Sequence, residues 1–139
     1  MAARWNKYNF TVQGENSLLE AAGRKRSRAS CGSNETDHVV ELQLIVAALN
    51  TLPATTYTRE GWHKQLVDFF NQALNLKCVG RQINQEKGQA VRKFISGDRM
   101  TEQEKRWIQS IQQHWHEIRP RLNNFDEFKG AIDAILAHV

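Results

Sequence analysis

The chain has 139 residues, 40% of them apolar, which is enough for one compact core and too little for two. Lysine and arginine total 19 against 15 acidic residues, and the net charge of +4 leans toward a polyanionic partner such as nucleic acid. Two cysteines, Cys31 and Cys78, exclude a four-cysteine zinc clip and a disulfide-dense scaffold.

No run of about eighteen apolar residues is present to span a membrane. Met1 to Phe10 carry charge and amides where a secretory signal needs an apolar stretch, so the expectation is a soluble chain with no signal peptide and no membrane partner. Asn9-Phe10-Thr11 and Asn34-Glu35-Thr36 fit the glycosylation pattern, which leaves the compartment open.

From Arg4 to Val12, the residues Trp5, Tyr8, Phe10 and Val12 partly alternate with polar ones and suggest a short strand or an extended arm. Asn16 or Ser17 can cap a short helix through Ala22, stopped by Gly23. The densest basic run follows, Arg24-Lys25-Arg26-Ser27-Arg28, with three readings: a solvated loop, a phosphate contact, or an import or processing signal. The segment Asp37 to Leu49 opens with β-branched residues and finishes with helix formers, as a strand or turn running into a helix would.

Between Thr58 and Leu74, the residues Trp62, Leu66, Phe69, Phe70 and Ala73 recur at intervals of three and four and predict an amphipathic scaffold helix. A further helix is expected over Asn84 to Ile95, with Gly97 as its stop. Thr101-Glu102-Gln103-Glu104 has capping-box spacing, and Trp107, Ile108, Ile111, Trp115, Ile118 and Leu122 keep helical period behind it until Pro120 ends or kinks the helix. A last helix from about Asp126 turns Phe128, Ile132, Ile135 and Leu136 inward. One mainly helical domain over residues 1–139 is expected.

Three pieces carry the chemistry: Asp37-His38-Val39, then Asn75, then Asn84-Gln85-Glu86-Lys87-Gly88. A lone Asp-His pair is more often a cap or a satisfied polar contact, and N-x-x-K-G alone is a capped helix start. Their order, and the nine positions between Asn75 and Asn84, make the case together. In that order they resemble the HNH (His-Me finger, ββα-metal) endonuclease family, and Cys31-Gly32 upstream looks like its lead-in. The resemblance spans roughly Ser30 to Ile95.

The resemblance implies a small β-hairpin and a helix, the ββα-metal motif, embedded in the helical domain, with a motif core at about 30–95 and a helical part at about 101–138. It implies His38 as the base that deprotonates water, Asn75 as the residue that orients His38, and Asp37 with Asn84 as protein ligands of one divalent cation. Mg²⁺ or Mn²⁺ suits two hard oxygen ligands best, with Zn²⁺ as the other choice. Lys87 is the expected phosphate contact, with Arg81 and Arg92 as further candidates beside Arg24, Lys25 and Arg26. Glu41 stands where many relatives carry proline, and a helical insertion separates it from Asn75; a salt bridge is its expected role.

Other chemistry has less behind it. His114 and His116 lie two apart on a helix, point to different faces and cannot share one ion. Trp62, Trp107 and Trp115 fall in apolar stripes and read as core, whereas Trp5 stands outside them and can stack on a base. Ser30, Cys31 and Cys78 show no nucleophile and base pairing, so covalent catalysis is not expected. The leading expectation is a metal-dependent endonuclease acting on DNA or RNA as a toxin, defence or processing enzyme, with any inhibitor protein unknown. The alternatives are a secreted, ribotoxin-like ribonuclease and a basic helical module that binds nucleic acid without cutting it.

Overall fold

The computed structural model describes residues 33–53, 55–57 and 61–139, with His63 described by its backbone alone. The expected N-terminal strand and helix, Trp5, the Arg24 to Arg28 run and Cys31 lie outside the described residues. Strand β1 is Glu35–His38 and β2 is Leu76–Val79; the helices are α1 Leu42–Asn50, α2 Trp62–Phe70, α3 Arg81–Ser96, α4 Glu102–Ile118 and α5 Asp126–Leu136. Among the described residues the fold is mainly helical, with a small two-stranded antiparallel sheet.

The two strands pair with Glu35 opposite Val79, Thr36 opposite Cys78, Asp37 opposite Lys77 and His38 opposite Leu76. No tight turn joins them, because α1 and α2 intervene. Helix α1 is buried almost all round, from Leu42 and from Leu44 through Leu49, so its β-branched Ile45 and Val46 are helical through burial rather than propensity. It packs against α3 and α5. Leu66 and Phe70 of α2, Ala90 and Val91 of α3, Ile108, Ile111 and Trp115 of α4, and Phe128 and Ile132 of α5 close one core around it. Trp62 and Trp107 pack on its edge, as their stripes predict.

Two helix bounds differ from the sequence pattern. Helix α2 ends at Phe70, where Asn71 leaves helical geometry, and a 3₁₀ turn over Ala73–Asn75 leads into β2. Helix α3 begins at Arg81, straight after the extended Gly80, so Asn84 closes its first turn by donating its N–H to the Gly80 carbonyl at 2.9 Å instead of opening the helix. Gly97 ends α3 at φ 75°, a left-handed position that suits glycine.

The capping box forms as expected, with Glu104 N–H donating to Thr101 Oγ1 at 3.1 Å and Thr101 N–H donating to Glu104 Oε1 at 2.8 Å. The Lys93 ammonium, 2.8 Å away across α3 and α4, and the Thr101 N–H hold the half-buried Glu104 carboxyl below its usual range. Pro120 ends α4 in a 3₁₀ turn over Arg119–Arg121. Asp133 of α5 accepts from Trp115 Nε1 at 2.7 Å and pairs with Arg119 at 2.8 Å, which locks α5 on α4.

Candidate active-site cleft

Along β1 the side chains alternate, so Glu35 and Asp37 share one face. Two strand residues span ~6.7 Å and three helical residues rise ~4.5 Å, close enough for side chains to meet in successive rungs. Asn84 and Lys87 of α3 form those rungs: Asn84 Nδ2 donates to Glu35 Oε2 at 2.7 Å and Lys87 Nζ donates to Asp37 Oδ2 at 2.6 Å. Arg81, one turn earlier, holds its Nε 3.7 Å from Glu35 Oε1 while its side chain stays exposed.

Lys87 is only 4% exposed. Its ammonium has three protons, and each finds an acceptor: Asp37, the His38 carbonyl at 2.9 Å and the Val39 carbonyl at 3.0 Å. The expected phosphate contact is therefore corrected. The ammonium faces inward and ties the end of β1 to α3, with no donor left for a ligand.

His38 is 6% exposed and its Nε2 lies 2.6 Å from Asn71 Oδ1. An amide oxygen only accepts, so Nε2 carries the proton and Nδ1 keeps its lone pair. Burial is the main force lowering the pKa of the imidazole; Lys87 acts the same way, against the Asn71 bond and the Asp37 charge, and His38 is held neutral.

Asn75, expected to orient His38, does something else. Fully buried, it accepts from the Val40 N–H at 2.9 Å and donates to the Val40 and Phe70 carbonyls at 3.3 and 3.0 Å. Its own carbonyl accepts from Val39 N–H at 2.9 Å. It clamps the main chain just after His38, and the imidazole goes to Asn71. That partner was missed because the predicted helix ran through Asn71 to Ala73, where a polar residue reads as part of the solvated face. Glu35 had a signal that sequence reasoning passed over, since it lies two residues before Asp37 on the same strand face.

Asp37, His38, Glu41, Asn84 and Arg92 line one open cleft of about 400 Å³ between β1 and α3. Arg81 is not among its lining residues, and Arg24, Lys25 and Arg26 lie outside the described residues. Glu41, at the N-cap of α1, is 8% exposed. Burial and the Asp37 charge push its carboxyl up, Lys87, Gln43 and Arg92 pull it down, and the balance lies at about 7. Comparison with protein-family models, curated proteins and solved structures finds no match. The chemistry of the cleft stands on its own residues.

Among the described residues, no group of three or more His, Cys, Asp or Glu side chains is arranged to hold a metal ion. A smaller oxygen set is present. The bond to Lys87 uses one carboxylate oxygen of Asp37 and the bond to Glu35 uses the amide nitrogen of Asn84. An oxygen of each is left over, and both residues line the cleft, a donor set that fits one hard cation completed by water and phosphate oxygens. Cys78, on β2 opposite Thr36, is disulfide-bonded. Among the described residues, no helix is long and apolar enough to cross a membrane.

Proposed function

We propose that the chain is an endonuclease of the His-Me finger type, hydrolysing phosphodiester bonds in DNA or RNA. The observation that carries this is the convergence of Asp37, His38 and Asn84, from two distant stretches of sequence, on one cleft beside Arg92. The chain order of β1, β2 and α3 also agrees with the ββα arrangement that the motif implies.

His38 Nδ1 takes the proton of the attacking water. A base held neutral at working pH is what this step needs, and the Asn71 bond fixes which nitrogen is free. Asp37 and Asn84 would hold a divalent cation, Mg²⁺ or Mn²⁺, which supplies charge neutralisation at the phosphate. Glu35 turns the Asn84 amide so that its nitrogen faces the strand. Arg92, on the cleft wall, offers the guanidinium for a phosphate oxygen that Lys87 does not. Attack by water leaves a 5′-phosphate and a free 3′-hydroxyl.

His38→Ala is expected to lower cleavage of plasmid DNA or total RNA by about 10²-fold or more with an unchanged circular dichroism spectrum. Loss of activity in EDTA, restored by Mg²⁺ or Mn²⁺, belongs with it. Full cleavage by the folded His38→Ala variant defeats the assignment, and salt-sensitive binding with no cleavage by the unaltered chain indicates a binding module instead.

A further inference from the structure

The proposed base accounts for one proton of the reaction, yet hydrolysis moves two: one off the attacking water and one onto the departing oxygen. An alkoxide is a poor leaving group unless it is protonated as the bond breaks. Glu41 is the carboxyl of the cleft that the base and the cation ligands leave unused.

The three protons of Lys87 are spent on Asp37, His38 and Val39. Glu41 Oε1 stands 3.9 Å from that ammonium, outside hydrogen-bonding range, and the hydrogen bond to Glu41 comes from Gln43 Nε2 to Oε2 at 3.3 Å. One buried ammonium thus faces two buried acids, Asp37 in a hydrogen bond and Glu41 in a longer ion pair, the salt bridge expected of it. The charged groups acting on it are Lys87, Asp37 and Arg92, and His38, also at the cleft, is neutral. A carboxyl so placed keeps its proton toward neutral pH.

Its position is fixed as well. His38 ends β1, Glu41 caps α1, and between them the chain bends at Val39 and Val40. Asn75 grips both the N–H and the carbonyl of Val40, so the two side chains are set relative to each other by a buried clamp.

We propose that Glu41 is the general acid of the reaction, giving its carboxyl proton to the leaving 3′-oxygen. This rests on the nuclease reading above and adds a residue to it. In the step, the water oxygen forms a bond to phosphorus while its proton passes to His38 Nδ1. The bond from phosphorus to O3′ breaks, its electron pair stays on O3′, and the Glu41 proton joins that oxygen. The products are a 5′-phosphate and a 3′-hydroxyl; His38 then releases its proton to solvent and Glu41 takes one up. Atoms and charge balance with water as the only co-reactant.

The test compares the full chain with Glu41→Gln, which keeps shape and polarity but has no proton to give, on two oligonucleotides. One carries ordinary diesters; the other carries a 3′-bridging sulfur at the scissile position, whose thiolate leaves without protonation. Glu41→Gln is expected to cut the ordinary diester about 10²-fold more slowly than the unaltered chain and the thio-linked one within a fewfold of it. Equal losses on both substrates, with or without weaker Mn²⁺ binding, overturn the assignment and make Glu41 a cation ligand or a support. Equal activity on both overturns it too. An unaltered chain that cleaves neither substrate defeats the nuclease reading itself, a result visible before the variant is measured.

Discussion

Burying Glu41 has a consequence for stability that is independent of catalysis. Its carboxyl ionises near 4.5 when exposed and at about 7 in the fold, with burial as the main cause. Between those values the unfolded chain sheds a proton that the folded chain keeps, so folding takes up a proton and stability falls as pH rises from 4.5 to 7. A rise of that size, at ~1.4 kcal/mol per unit, is worth about 3 kcal/mol. His38 works the other way: its lowered pKa makes the fold lose stability as pH drops below ~6.5, equally in any variant that keeps it. Glu41→Gln removes the carboxyl term alone. Urea denaturation of the variant and the unaltered chain at pH 4.5, 6 and 8 should show their stability difference shifting in favour of the variant by about 3 kcal/mol over that range, with m unchanged. Parallel profiles, with a difference constant to within ~1 kcal/mol, would show that Glu41 ionises in the fold as it does in the open chain, and would remove the protonated acid from the cleft.

Lys87→Met leaves the Asp37 carboxylate and two carbonyls without their buried cation, and should cost about 3–5 kcal/mol in guanidinium denaturation; a cost below ~1 kcal/mol would mean that the ammonium is solvated after all. Asn71→Leu should cost about 1–3 kcal/mol, because it leaves the buried His38 Nε2–H without its acceptor. It should also spread His38 over both tautomers in ¹⁵N spectra and slow cleavage about tenfold. An unchanged Nε2–H tautomer in that variant would remove the positioning role.

Helix placement was legible where periodicity and caps agreed, as in α4 with its capping box and α5 with its inward apolar residues. The sheet was harder, because four-residue strands whose partners lie far apart in the chain leave no local pattern to read. Of the site residues, Asp37, His38, Asn84 and Arg92 do meet at one cleft. Lys87 was misread for a general reason: a lysine one turn after an asparagine looks like a surface cation, and nothing local shows that three acceptors, at the end of a distant strand and just past it, enclose it. Asn75 was misassigned, and Asn71 passed over, for a similar one. They lie four positions apart, and only the break at the end of α2 decides which amide reaches the imidazole and which the backbone.

The insertion between the strands looks like a disturbance of the motif, and the register explains why it is not. His38 pairs with Leu76, so residues 39–75 leave the sheet and return to it at the same rung. An excursion whose ends are already adjacent lengthens at a modest entropic cost, roughly 0.6 kcal/mol per doubling of a flexible loop. This one is offset by burial, since α1 and α2 supply Leu44, Leu49, Leu66 and Phe70 to the core. Its outgoing end carries Glu41 and its returning end carries Asn71 and Asn75, which reach the imidazole and the bend beside it. A chain shortened by removing the whole excursion, residues 39–75, would keep Asp37, His38 and Asn84 in sequence but lose the Asn71 acceptor of His38, the Asn75 clamp and the second carboxyl. The segment added between the halves of the motif therefore belongs to the site as much as the motif does.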